Sequence, residues 1–170
     1  MAMTEAVKRN VETALIADKG AVLEYVAKEN GVTVVEIVSC LPSHQAVTIS
    51  GDLFVDVMGE ISTWGEITFL VHTDDVILEA KGIVPAGSVS HGYFNLHGKP
   101  IGGHLKADNC ASISFISRPL FKSDSCSVQF YNKAGGCMFK IYLGRDDKRQ
   151  LIPSQVAKFE NYRDQISTTQ

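Results

Sequence analysis

The sequence predicts an α+β fold, with helices first, a long run of antiparallel strands next and a helix to close. Three observations predict it. Apolar residues recur at helical spacing up to Ile61, the period changes to two from Glu66 to Leu143, and a helical stripe returns after Pro153. We expect a single domain over 1–170, mainly helical over 1–62, sheet over 66–143 and helical again over 153–167.

Ala6, Val7, Val11, Ala14 and Leu15 define the first helix, which Gly20 interrupts. Val22, Leu23, Val26 and Ala27 define a second, stopped by Asn30-Gly31 in the manner of a helix C-cap. Thr33 and Glu36 form a capping-box signature ahead of Val34, Ile37, Val38 and Leu41, and Pro42 ends that helix. A fourth amphipathic piece runs from Asp52 through Phe54, Val55, Met58 and Ile61 to Trp64-Gly65. Strands are expected at 66–72 and 76–81 as a hairpin, and at 89–96 and 103–107 around Gly98-Lys99-Pro100. Further strands fall at 111–117, 126–131 and 137–143. Pro153 sits at the first position of a helix whose buried face carries Val156, Phe159, Tyr162 and Ile166.

The chain has 170 residues, 45% hydrophobic and 21% charged, with a net charge of −3. That balance, with scattered Lys and Arg, argues against a nucleic-acid partner, whose binders carry a basic face. The short N-terminal helices invite a helix-turn-helix reading, but the third helix offers Glu36 and Ser39 where base-reading Arg, Lys, Asn or Gln would stand. A helical cap on the sheet is the expectation instead. The N-terminus has no secretory pattern, and no apolar run approaches the roughly 20 residues that span a bilayer. Cys40, Cys110, Cys126 and Cys137 show no C-x-x-C pair and read as free thiols in a reducing, cytoplasmic compartment.

Four of the five histidines, His72, His91, His97 and His104, fall between positions 72 and 104, inside the strand region. Imidazole suits metal ligation and proton transfer near neutral pH. No cysteine and no second acidic cluster beyond Asp74-Asp75 accompanies them there, so the usual zinc and two-metal donor sets lack partners. An acceptor of one or two imidazoles, such as a haem iron, fits better. Strand alternation puts His72 on a face with Leu70 and Thr68, and His104 with Lys106 and Asp108. It puts His91, Tyr93, Asn95 and His97 together. No serine lies in a G-x-S-x-G elbow, and Gly102-Gly103-His104 lacks the ending of a phosphate loop. The turn at 143–149 carries Arg145, Lys148 and Arg149, and reads as a solvated turn or a cationic clamp for carboxylates.

Four blocks carry a resemblance: TFLVHTDDVILE at 68–79, HGYFNL at 91–96, GHLKADN at 103–109 and FKIYLGRDDKRQL at 139–151. With VEIV at 35–38, LP at 41–42 and WG at 64–65, they resemble the bacterial haem-utilisation carriers of the ChuX/HutX type over nearly the whole chain. The resemblance implies the fold of one half of the two-repeat HemS/ChuS proteins and a homodimer. It implies a cytoplasmic carrier that accepts imported haem b (iron protoporphyrin IX) and passes it to a haem-accepting or haem-degrading protein. His72 and His104 match the positions of the axial haem-iron ligands, whereas the pattern tolerates other residues at His91 and His97. Arg145 and Lys106 also match the pattern, which assigns them no role; their positive charge makes them the expected contacts for the haem propionates. The alternative is a haem-degrading, oxygenase-like enzyme. Two imidazoles on one iron would close the side where oxygen binds, which favours the carrier.

Overall fold

The computed structural model describes residues 3–168. Helix α1 spans Glu5–Ala17 and starts where the Thr4 hydroxyl accepts a bond from the Val7 amide. Helix α2, Leu23–Asn30, stops at Gly31, whose φ of 65° is the left-handed cap conformation that glycine adopts without strain. Helix α3, Val34–Ser39, begins with the expected reciprocal box: Thr33 Oγ1 accepts from the Glu36 amide and Glu36 Oε2 accepts from the Thr33 amide. Then come strand β1 (Ala46–Ser50), a single 3-10 turn at Gly51–Leu53, and helix α4 (Phe54–Ile61). Strands β2 to β9 are Glu66–His72, Ile77–Ile83, Gly87–Ser90, Tyr93–Leu96, Gly103–Leu105, Cys110–Leu120, Ser123–Asn132 and Cys137–Tyr142. Helix α5, Pro153–Ser167, closes the chain with Pro153 in its first turn.

The strands form two antiparallel sheets. The larger has six strands in the order β1-β7-β8-β9-β2-β3, and the smaller has three, β4-β5-β6. Alternation along the large sheet separates two environments. One face sends Ile49, Ile67, Ile113, Phe115, Val128, Phe130, Phe139 and Ile141 into the main core, which α4, the small sheet and α5 complete. The other face carries Ile116 and Tyr131 into a second core made by α1, α2 and α3, so the N-terminal helices cap the sheet as expected. Phe54 of α4 joins the two sheets. Its ring packs edge-on against Phe130, Phe139 and, from the small sheet, Phe94, with centroids 5.2–6.0 Å apart.

Two expectations are corrected. Residues 46–50 form a strand that the sequence did not single out, fixed by antiparallel pairing with the remote β7 from Ala46↔Ile116 to Ser50↔Ser112. The stretch 89–96 is no continuous strand. It is part of a two-residue hairpin in which Ser90 pairs with Tyr93 across His91-Gly92. His91 and Gly92 have φ of 52° and 76°, the double left-handed geometry of a type I′ turn. His91 is therefore a turn residue and His97 lies beyond the end of β5, so the face shared by His91 and His97 does not exist.

Candidate functional site

The four sequence-predicted residues fall into two groups. His72 and Arg145 lie on the helix-capped side of the large sheet; His104 and Lys106 lie on the outer side of the small one.

The last residue of β2, His72, pairs with Ile77 of β3 and shares a face with Leu70. Phe69 and Val71 point the other way, into the main core. The imidazole is almost fully buried, because α2 lies over it: Nδ1 is 3.6 Å from Glu24 Oε2, and the ring meets Tyr25 edge-on at 5.6 Å. The other oxygen of Glu24 is 2.6 Å from Lys140 Nζ on β9, a charge-assisted contact between side chains 14% and 5% exposed. A carboxylate thus stands between a buried ammonium and the imidazole. Burial works against the Lys140 charge, yet the neighbouring Tyr142, Glu24 and Cys137 hold its ammonium above the usual lysine range.

His72 borders two cavities. One, of about 130 Å³, lies between the sheet and the α1–α2 connection and is lined by Leu70, Arg118, Phe121, Lys140 and Tyr142 among others. The second, of about 660 Å³, opens beside α2 and the β2–β3 turn. A third cavity of about 390 Å³ continues the first along the same sheet face past Leu70, Phe121 and Tyr142, and adds Lys81, Arg145 and Arg149. The face therefore joins an apolar stretch around Leu70 and Phe121 to a charged one, where Glu66 and Glu79 stand among Lys81, Arg145 and Arg149. The Arg145 fork is already engaged: Nη1 donates to Arg149 O at 3.0 Å and Nη2 to Asp124 O at 2.6 Å, closing the turn after β9. Arg118 of β7 does similar work, donating to Lys19 O and Ala21 O and so latching the α1–α2 connection onto the sheet.

His104 is an exposed residue of β6, opposite Asn95 of β5. Its neighbour Leu105 packs on the main core, so the imidazole points outward. Nδ1 is 2.6 Å from Asn95 Oδ1, the ring meets Tyr93 edge-on at 6.0 Å, and Lys106 Nζ stands 4.4 Å from the centre of the Tyr93 ring. His72 and His104 therefore face away from the main core on different sheets, and none of the cavities that His72 lines includes His104.

Glu24, Arg118, the role of Asn95 and the burial of Lys140, which the sequence groups with Arg145, Lys148 and Arg149 as a candidate anion site, were not read from the sequence. The signal was present in part. Ser125, Ser127, Gln129 and Lys140 alternate with core residues and so resemble a solvated face, yet α1–α3 and their connections leave them buried.

The cysteines are free. Burial pushes the Cys110 thiol up to about 11 and the Cys137 thiol up to about 12. Unfolded, both would ionise near 9, releasing protons that the folded chain keeps. Their contribution to stability is therefore full below about pH 9 and falls as pH rises toward 12, with Lys140 adding in the same direction. Melting temperatures from pH 8 to pH 11 should decline, and Cys137→Ala should flatten the decline; a level wild-type profile would contradict the assignment.

The fold is that of one half of a larger protein. ChuS, described as an E. coli haem oxygenase, matches 95% of this chain with 50% of its own length at a TM-score of 0.74 and 15% identity, a likeness of fold. The family described as Haem utilisation ChuX/HutX matches residues 47–162, and the chain belongs to it. The intracellular heme transport protein HutX of Vibrio cholerae is 36% identical over 136 residues, covering 79% of this chain and 70% of HutX. The crystal structure of the heme binding protein ChuX superposes at a TM-score of 0.84 with 42% identity, covering 92% of this chain and 98% of ChuX. No helix among the described residues is long and apolar enough to cross a membrane.

Proposed function

We propose that this chain is an intracellular, cytoplasmic haem carrier that accepts imported haem b and passes it to a haem-accepting or haem-degrading protein. The observation that carries the reading is family membership over most of the chain, with a haem-transport relative and a haem-binding relative at 36% and 42% identity. The likeness to ChuS is one of fold and carries no catalytic activity with it. His72 and His104 are the iron ligands in this reading. What supports them is a hydrogen bond from His104 Nδ1 to Asn95 that leaves Nε2 for iron, and, for the covered His72, a Glu24 carboxylate 3.6 Å from Nδ1 and a cavity on either side of the ring. Lys106 beside His104, and Arg145 on the His72 side, supply positive charge for the propionates; Arg145 can do so only with the donors its backbone bonds leave over.

Because the main core separates the two histidines within one chain, both reach one iron only from two chains. That supports a homodimer. Strand β3 ends the large sheet, and its Ile77, Leu78 and Ile83, with Val76 just before it, are each more than half exposed. An unpaired apolar edge of this kind favours a second copy, and the His72–Ile77 pair places His72 next to it.

Carrier and enzyme are separated by incubating the haem complex with ascorbate and oxygen, with catalase present to remove peroxide. The carrier retains its Soret band. Conversion to an open tetrapyrrole would replace this reading with a degrading enzyme.

A further inference from the structure

We infer that Asn95 is a positioning residue that fixes the His104 ring in the tautomer with its proton on Nδ1, leaving the Nε2 lone pair free to take iron. The inference rests on the haem-carrier reading for its use, but the tautomer itself follows from the hydrogen bonds of the chain without haem.

Asn95 is only 6% exposed although it sits on the outer side of the small sheet. Its Nδ2 lies 3.0–3.3 Å from four oxygens: Ser88 O, Ser90 O, Ser90 Oγ and Tyr93 O. Three of these are backbone carbonyls, which only accept. Turning the amide over would place Oδ1 among them, oxygen against oxygen, in a site sheltered from water. The orientation with Nδ2 on the carbonyls is therefore enforced by the hairpin. The tight His91-Gly92 turn holds Ser88 and Ser90 on β4 beside Tyr93 and Asn95 on β5.

Oδ1 is then directed at His104 Nδ1, 2.6 Å away. An amide oxygen can only accept, so Nδ1 must carry a proton. In the neutral ring that leaves Nε2 unprotonated. A histidine free in water favours the opposite tautomer, with Nε2 protonated and blocked toward a metal. The hairpin thus prepares an exposed imidazole for ligation before any haem arrives, with Tyr93 edge-on to the ring and Lys106 over Tyr93. A carrier that must capture its cargo from solution or from another protein gains from a ligand needing no rearrangement.

The first measurement needs no variant. Nitrogen-15 NMR of the imidazoles in apoprotein, with His104 assigned by its absence from His104→Ala, should show a protonated Nδ1 and an unprotonated Nε2. A protonated Nε2 in the neutral ring overturns the inference whether or not haem binds. Asn95→Leu, checked for folding by circular dichroism, should return His104 toward the free-histidine tautomer. It should also speed haem transfer to apomyoglobin roughly tenfold to a hundredfold, the usual effect of removing such a partner. In a His104→Ala background, Asn95→Leu should add almost nothing, because it acts through that ring. An equal effect in both backgrounds would show a merely structural role and overturn the inference. Unchanged transfer in His104→Ala alone would instead remove His104 as a ligand and leave the tautomer standing, so the two failures are distinguishable.

Discussion

Lys140→Met should destabilise the protein by about 3–5 kcal/mol, the usual loss when one partner of a buried ion pair is removed. The Glu24 carboxylate would stay buried under α2 with only His72 beside it at 3.6 Å. The penalty arises from the uncompensated charge more than from the lost attraction. Glu24→Leu in the same chain should therefore restore most of the stability, since an apolar pair of similar volume is often as good as the ion pair it replaces. Urea unfolding followed by the single tryptophan, Trp64, which is buried on the other side of the sheet, measures both. A loss below about 1 kcal/mol in Lys140→Met would mean that the carboxylate finds water or another partner. The pair also ties α2 to the strand next to His72, so the single variant should loosen the cover over that imidazole.

Phe54→Ala should cost a similar amount, about 3–5 kcal/mol, for a different reason. The ring is 2% exposed and touches Phe94, Phe130 and Phe139, so its removal leaves a cavity where the two sheets meet. Phe94 pairs with Leu105 next to His104, and the loss should be felt at the small sheet as weaker protection of β5 and β6 amides from hydrogen exchange. Phe54→Leu, which keeps most of the volume, should recover more than half. A Phe54→Ala loss under about 1.5 kcal/mol would show that the core collapses to fill the space.

Much of the fold was legible because its signals are local. The Thr33–Glu36 box, Gly31 and Pro153 mark helix ends through chemistry that acts within a few residues, and the structure places the ends there. β1 was not legible, because five residues between Pro42 and Asp52 become a strand only by pairing with β7 far along the chain. The His91-Gly92 turn was missed since it lacks the Asn-Gly or Asp-Gly pair that usually announces a type I′ hairpin. Its histidine adopts a positive φ, which is uncommon outside glycine although His, like Asn and Asp, enters it more often than other side chains. The candidate site was legible as far as the histidines and the cations Lys106 and Arg145. The histidines' partners, Glu24 for His72 and Asn95 for His104, come from other elements, and alternation sorts faces without saying which side chains cross to meet them.

The central claim is that this chain binds haem through His72 and His104. Its most direct test is a haem titration followed by absorbance, run on the wild type, on each single alanine variant and on the double variant. The account predicts a shifted Soret band saturating at about one haem per chain, changed most by His104→Ala among the single variants and lost when both histidines are replaced. An unchanged Soret band in the His72→Ala, His104→Ala protein would contradict it.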